Sequence, residues 1–419
     1  MSENQPLTRF RRKAVKVEDA LQSIISYISK AKTEKVSLEK SLKRTLSEDI
    51  QTSHPVPHFR RSGYDGYAVQ SKDVEQASKQ SPVYLKLVDD IPCGEVPGRR
   101  LESGQTARIM TGAMVPEEAD SVIMLEATEQ EERNGSTYVK FTKPIQSGKN
   151  ITPIGEETAE GEVLLTKGTE VNPGAMAVLS SLGFSQVPVY KKPQIAVLST
   201  GTELLEVDEP LEMGKIRNSN TYMIAGQIQH NGGEPVIIEK FPDDVDAARK
   251  KLQSLLANQE LDMIITTGGV SVGDYDIMTD IFLNWEGKTL FNKVQMRPGS
   301  VTTAGVFRDK ILFGLSGNPG ASYVGFELFV KPSIERMLGG LGVQDKQTAY
   351  LKVNYTKVNA FPRFLRGYYE VKDGELWAQP VGLDQSSALL SMKDTNALIV
   401  IPPTKTGMKA GEKVNVIPV

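Results

Sequence analysis

Cysteine is almost missing from this chain. Cys93 stands alone, so no intramolecular disulfide can form and no cysteine-rich zinc or iron-sulfur site can be assembled. Histidine is scarce as well: His54, His58 and His230 are too few for a histidine-based transition-metal centre. His54 and His58 bracket Pro55 and Pro57 in a segment that reads as an irregular surface loop. Neither sign of charge dominates. With 49 basic and 52 acidic residues the net charge is -3, which argues against an electrostatic grip on nucleic acid. No apolar run approaches the roughly 20 residues that span a bilayer, and residues 1–13 hold no apolar signal core. The expectation is a soluble, cytoplasmic protein that contacts neither membrane nor nucleic acid. GxGxxG and GxxxxGK[ST] are both missing, which removes the usual dinucleotide and Walker loops. No Ser/His/Asp or Cys/His arrangement emerges, so chemistry here rests on positioning and metal-assisted charge stabilisation, not on a covalent intermediate.

What is present is organised in blocks. A chain of 419 residues is too long for one core and divides into roughly three domains. Ala20, Leu21, Ile24, Ile25 and Ile28 share one face of an amphipathic helix over residues 17–30, and residues 37–48 read as a second short helix. From about 60 to 143 the pattern turns to short alternating runs such as Val83 to Val88, with Asn134-Gly135 as a hairpin signal, so this part reads as a small all-β unit. A connecting region follows, with a helix over 173–182 stopped by Gly183. Strands at 195–198, 236–239 and 263–265 then alternate with helices at 219–230 and 244–257, and the pattern continues through 290–294, 311–315 and a helix over 321–338. Such alternation predicts a doubly wound α/β domain with a parallel sheet. Beyond Gly339-Gly340 β patterning returns and predicts a small C-terminal barrel or sandwich.

Three strand ends in the α/β block carry glycine: Ser199-Thr200-Gly201-Thr202-Glu203, residues 266–276, and Leu315-Ser316-Gly317-Asn318-Pro319. Ligands of open parallel sheets sit at the carboxyl ends of strands, so the three ends together predict one continuous site for a phosphate-bearing ligand. The middle stretch supplies Gly268, Gly269, Ser271, Asp274 and Asp276. Glu203 and Asp276 offer hard oxygens for a magnesium ion, although Glu203 also reads as a helix-start carboxylate. Asp243-Asp244 after Pro242 reads equally as a site pair or as an N-cap. Lys293 and Arg297 flank a further strand end and would neutralise phosphate or an oxyanion, or else are plain surface cations. Arg363 and Arg366, with Gln385-Ser386-Ser387, are weaker candidates for the same cleft.

Five motifs in order resemble the molybdopterin molybdenumtransferases of the bacterial MoeA type, related to the gephyrin E domain. They are Ser62-Gly63-Tyr64-Asp65-Gly66-Tyr67-Ala68, Arg108-Ile109-Met110-Thr111-Gly112-Ala113, Ser199 to Leu204, Thr267 to Asp276, and Ser316-Gly317-Asn318-Pro319. The resemblance implies an N-terminal region 1–190, with helical or linker parts at 1–50 and 148–190 and a β subdomain at about 55–147. It further implies a MoaB/Mog-like α/β domain at 191–340 and a C-terminal β-barrel at 341–419. The implied activity is insertion of molybdate into adenylylated molybdopterin with release of AMP, assisted by Mg2+. Asp65, Thr111, Asp243 and Asp276 match positions tied to catalysis, and Glu203 and Asp276 match the metal carboxylates. Thr200, Gly201, Gly268, Gly269, Ser271, Lys293, Arg297, Gly317, Asn318, Pro319, Arg366 and Ser387 match the substrate cleft. Also implied are a homodimer whose active site is shared between subunits, and transient contact with molybdopterin adenylyltransferase and molybdoenzymes. Competing readings are the adenylyltransferase itself, disfavoured by the extra β domains, and a gephyrin-like scaffold, disfavoured by the lack of a long linker. The chain departs from the common KPGKP and LPGNP patterns at Arg297-Pro298-Gly299-Ser300-Val301 and at Ser316, and its GED-type segment reads Gly155-Glu156-Glu157.

Overall fold

The computed structural model describes residues 13–28, 31–242, 244–269, 282 and 285–419. Two compact units are present: one comprises Met1–Glu48, Gly168–Met176 and Gln186–Val419, the other Asp49–Lys167 and Ala177–Ser185. Among the described residues no helix is long and apolar enough to cross a membrane.

In the first unit, Gln194–Ser199 and Met263–Thr267 are nearly continuous apolar or β-branched runs, and such runs suit strands covered on both faces. They lie at the middle of a six-stranded sheet ordered Glu234–Lys240, Gln194–Ser199, Met263–Thr267, Lys310–Leu315, Thr303–Phe307, Lys288–Phe291. Side chains alternate between two cores. Ile195 and Val197 face Ile24, Ile224, Ile228 and Phe329, while Ala196 and Leu198 face Leu252, Leu255 and Phe282. Each fully buried Ile, Leu or Phe contributes about 1.5–3 kcal/mol, so a one-residue slip of a central strand would exchange one packed face for the other at large cost.

The first four strands of that order run parallel, as their sequences predict, and the last two join by antiparallel pairing, so that Thr303–Phe307 runs against the others. Thr303–Phe307 returns antiparallel to Lys310–Leu315 through the two-residue turn Arg308-Asp309, in which Arg308 holds φ +56°. The sheet is therefore mixed: the predicted parallel arrangement holds for its first four strands, and antiparallel pairing extends it at one edge. A two-residue connection permits only an antiparallel return.

Helices cover both faces: Val17–Ile25 and Asn220–His230 on one, Val245–Ala257 on the other. Asp244 caps the last of these by accepting a 2.9 Å hydrogen bond from the Ala247 N–H, which favours the capping interpretation for that residue. The long helix after Pro319 is continuous but contains a π-helical stretch, running Pro319–Gly325, Phe326–Val330 and Lys331–Met337. The short helix predicted over 37–48 is not found. Thr33–Ser37 is a strand paired antiparallel with Gln186–Tyr190, followed by a single 3-10 turn at Leu38–Lys40. Residues 43–47 then exchange backbone hydrogen bonds with 168–171 and 188–190, well over 100 residues away in sequence, and these long-range bonds override local helix propensity.

The C-terminal strands Gln347–Leu351, Glu375–Pro380, Arg363–Lys372, Ala397–Ile401 and Lys413–Pro418 close into a barrel around Leu351, Leu365, Ile399, Ile401 and Val416. Arg297 accepts from the Phe364 N–H at 2.8 Å and donates to the Pro362 carbonyl at 3.0 Å, which ties the barrel to the α/β layer.

The second unit is built on a six-stranded sheet ordered Ser121–Met124, Gly66–Val69, Gln105–Ile109, Val83–Ile91, Ser136–Phe141, Thr128–Arg133. Asn134 and Gly135 form the expected hairpin turn at φ +48° and +74°. Ala68, Ala107 and Val122 pack on one face, and Tyr67, Val69 and Leu85 on the other.

Candidate functional site

From Gln194–Ser199 the chain passes through Asn220–His230 to a strand on one side, then through Val245–Ala257 to Met263–Thr267 on the other. Strand order reverses here, and the diverging connections leave a crevice beyond the strands' carboxyl ends. All three glycine-bearing ends belong to adjacent strands, so sequence order and sheet order agree in placing them side by side. Backbone bonds join them: the Thr200 N–H donates to Thr267 at 2.9 Å and the Gly268 N–H to Leu315 at 3.1 Å.

Glycine is required at two of these turns. Gly268 holds φ +90°, and a Cβ there would stand 2.5 Å from the Thr200 carbonyl oxygen and 2.8 Å from its hydroxyl. At Gly201 a Cβ would meet the Glu203 carboxylate at 2.5 Å, so the carboxylate lies over this bare backbone. Glu203 is exposed, and its carboxylate has no hydrogen-bond or ion-pair partner among the described residues. A hard oxygen donor in that condition is free to take a cation.

Asn220, the first residue of its helix, was not among the residues singled out from the sequence. Its buried Nδ2 donates to Thr267 Oγ1 at 2.8 Å and to the Gly317 carbonyl at 2.9 Å, bridging two of the three strand ends. Thr267 Oγ1 in turn donates to the Ser316 carbonyl at 3.0 Å, and Asn218 donates to Ser199 Oγ at 3.0 Å. The available signal was Asn218-Ser219-Asn220, two amides directly before an amphipathic helix that shares a crossover with a glycine loop. Thr200 Oγ1 and Asn220 Oδ1 are both buried and without a hydrogen-bond partner among the described residues, an unusual cost that a bound polar ligand would relieve.

A further wall comes from two more distant segments. The turn at 296–300 packs on the helix that begins at Pro319, with a Gly299 Cβ position only 3.1 Å from the Ala321 carbonyl. Arg297 is exposed, Lys293 is half-buried, and neither side chain has an ion pair among the described residues. From the barrel, the Gly320 N–H reaches the Ser386 carbonyl at 2.8 Å, and Asn318 Nδ2 lies 3.3 Å from Ser386 Oγ. Arg366 is 6 % exposed and held by three hydrogen bonds: it donates to Ser391 Oγ at 2.9 Å, Leu383 O at 3.1 Å and Gln385 O at 3.0 Å. Burial pulls its guanidinium below the usual arginine range, with Asp384 and Tyr323 acting in the opposite sense. It therefore braces the 383–391 segment, and the exposed Ser387 is carried on that brace. Arg363 is paired with Asp384 at 2.8 Å.

Asp65 and Thr111 lie in the other compact unit and meet there. Asp65 Oδ1 accepts from the Thr111 N–H at 2.7 Å and from its hydroxyl at 2.8 Å, and these two donors hold the exposed carboxyl below the ordinary aspartate range. Tyr64 and Met110, next to them in sequence, are exposed, as are Met124, paired with Gly66, and Leu125, whose N–H donates to the Asp65 carbonyl at 3.0 Å. Asp243, Ser271, Asp274 and Asp276 lie outside the described residues. Among the described residues no group of three His, Cys, Asp or Glu side chains is arranged to hold a metal.

Comparison with known proteins bears on this crevice. Three family models match: the MoeA N-terminal region (domain I and II) over residues 15–183, a probable molybdopterin binding domain over 196–336, and the MoeA C-terminal region (domain IV) over 348–419. The chain is 44% identical over 408 residues to the molybdopterin molybdenumtransferase of Bacillus subtilis (strain 168), covering 97% of this chain and 94% of the relative. It is 41% identical over 408 residues to the enzyme of the same name from Staphylococcus aureus (strain MSSA476), covering 97% and 96%. Among solved structures, a molybdopterin biosynthesis moea protein from Pyrococcus horikosii shares 32% identity at a TM-score of 0.84, covering 97% of this chain and 99% of that one.

Proposed function

The chain belongs to the MoeA family and is a molybdopterin molybdenumtransferase of molybdenum cofactor biosynthesis, and on that premise we propose that it inserts molybdate into adenylylated molybdopterin and releases AMP. The observation that carries this reading is the composite crevice: three adjacent glycine-bearing strand ends, two of them stitched by Asn220, beside Lys293 and Arg297, which have no ion pair among the described residues. Backbone N–H groups at Gly201, Gly268, Gly269 and Gly317, with the helix start at Asn318-Pro319, receive the phosphates of the substrate. Thr200 offers a hydroxyl to it, and Lys293 and Arg297 neutralise the oxyanion. Arg366 fixes the segment that presents Ser387.

The donor set fits magnesium, since the Glu203 carboxylate is free and lies over Gly201 near the unpartnered Thr200 hydroxyl. Glu203 and Asp276 would hold the ion, and Ser271 would line the same loop. Bound there, magnesium would offset phosphate charge as AMP departs. Asp243 completes the proposed set of catalytic carboxylates.

The enzyme works as a homodimer in this proposal, with Asp65 and Thr111 of one subunit completing the crevice of the other. Support comes from their exposed, hydrogen-bonded pairing and from the apolar side chains near them. The proposal includes a cytoplasmic location, checked by fractionation, and brief docking with molybdopterin adenylyltransferase and recipient molybdoenzymes, checked by crosslinking.

The test is AMP release from adenylylated molybdopterin with molybdate and Mg2+ varied. Glu203→Gln and Asp276→Asn should each abolish it, and undiminished turnover in both would reject the metal assignment. Mixing inactive Asp65→Asn with inactive Glu203→Gln should restore activity through mixed dimers. Sedimentation that shows only a 46.0 kDa species would reject the shared site.

A further inference from the structure

Glu327 is an acid in an unexpected place. It lies in the π-helical stretch Phe326–Val330, with only 4 % of its side chain exposed. Its Oε1 accepts from Gln227 Nε2 at 2.6 Å, across the contact between the helix that starts at Asn220 and the helix that starts at Pro319. Two atoms of this pair, Glu327 Oε2 and Gln227 Oε1, are buried and accept no hydrogen bond among the described residues. An ionised carboxylate cannot remedy this, because it has no proton to give and both orphaned atoms are acceptors. A protonated carboxyl can: its O–H donates to the amide oxygen while its carbonyl keeps the amide N–H, and one two-bond ring satisfies both groups.

The alternative partner is Lys331. Its Nζ stands 3.8 Å from Glu327 Oε2, beyond hydrogen-bond length, and is already bonded to the Pro418 carbonyl at 3.0 Å. Among the described residues the charged groups acting on Glu327 are Lys331 and Glu335, which oppose one another, and burial outweighs both in pushing the carboxyl up. Glu335 and Tyr323, on the same helix, are raised by burial too, and for Glu335 burial again outweighs the pull of Lys331 toward the charged form.

We propose that Glu327 is held as the neutral acid and, paired with Gln227, is a positioning residue that sets the spacing of the two helices flanking the crevice. Asn220 opens the first of these helices and binds Gly317; Asn318 precedes the second. The clasp sits about two turns below both, where a small change in helix separation displaces the third glycine-bearing loop. Its catalytic consequence rests on the crevice being the substrate site, but its chemical consequence does not.

Glu327→Gln and Glu327→Leu test the inference. Glutamine forms the same two-bond ring with Gln227 as an amide pair, at every pH. It should keep KM for adenylylated molybdopterin within about twofold of the parent, whereas leucine, which orphans Gln227, should raise KM several-fold with less effect on kcat. Thermal unfolding against pH provides the second readout. A carboxyl raised in the folded state stabilises the fold below the ordinary glutamate range, and that contribution is lost as pH rises through its folded value. The parent should thus lose Tm toward alkaline pH relative to Glu327→Gln. A side-chain carboxyl resonance of protonated type at neutral pH, in protein labelled with 13C-glutamate, should disappear in Glu327→Gln. Equal damage from both substitutions, or an ionised resonance for Glu327 at neutral pH, would overturn the proposal in favour of an ion pair with Lys331. If no AMP is released by any form, the unfolding and resonance results still decide the clasp.

Discussion

Replacing Gly268 by alanine probes the crevice where its strand ends come closest. Two costs add. Holding an L-residue near φ +90° costs about 1–2 kcal/mol, offset by about 0.4–1 kcal/mol because alanine restricts the unfolded chain. The new Cβ would also stand 2.5 Å from the Thr200 carbonyl, so two backbones bonded through Leu315 and Thr267 must separate. By analogy with overpacked cores this adds about 1–3 kcal/mol. Gly168→Ala is the matched control: its φ is +88°, and nothing lies within 4 Å of the added carbon. The control should therefore cost about 0–1.5 kcal/mol and Gly268→Ala about 1–4 kcal/mol. Urea unfolding in a Trp377→Phe background leaves Trp285, packed on Phe282, as the only tryptophan and restricts the signal to the α/β layer. AMP release should fall in Gly268→Ala and persist in the control. Equal destabilisation by the two substitutions would refute the claim that close approach of the loops, beyond backbone conformation alone, demands glycine at 268.

Asn220→Ala removes two buried hydrogen bonds and leaves Thr267 and Gly317 short of a donor, so denaturation should register a loss of about 2–3 kcal/mol. A loss below about 0.5 kcal/mol would mean that the bridge is not what joins the strand ends. Thr111→Val deletes the hydroxyl donor to Asp65 but keeps the backbone N–H, the larger cause of its depressed titration. The Asp65 midpoint, followed by 13C NMR, should rise part of the way toward an ordinary aspartate. A depressed carboxyl favours the native pairing above the ordinary aspartate range and loses that contribution as pH falls through its own lowered midpoint, so Thr111→Val should weaken the pairing at mildly acidic pH first.

Much of the α/β layer was readable because its strands are buried on both faces, and Ile195 to Leu198 and Met263 to Ile265 announce that by unbroken apolar runs. Adjacency of the three glycine ends followed from crossover rules applied to those runs. Thr33–Ser37 escaped detection because a short amphipathic segment is set by its partner, and the partner begins at Gln186. Thr303–Phe307 was hidden for another reason: Thr, Ala and Gly carry little apolar signal, and the Trp285 ring occupies the space above Gly305. Within the site, glycine and charge were legible as residue types. Asn220 acts through two amide hydrogen bonds to backbone and hydroxyl groups that only the folded sheet brings into range. Arg366 reads from the sequence as a weak candidate for the cleft, and nothing in its neighbours Leu365 and Gly367 reveals that its guanidinium is enclosed by carbonyls from residues 383 and 385.

That enclosure separates the positive charges of the crevice into two kinds with respect to salt. Arg297 is open to solvent, where added ions at about 1 M shorten the reach of a charge to roughly 3 Å. Arg366 is sealed beneath the 383–391 segment, beside the first turn of the helix that follows Asn318, and mobile ions cannot enter that space. An anion settling at the helix start thus meets a field that persists in concentrated electrolyte, while the pull that gathers it from bulk water fades. If the crevice is the substrate site proposed above, capture falls to Arg297 and retention to Arg366, and ionic strength should slow the first more than it loosens the second.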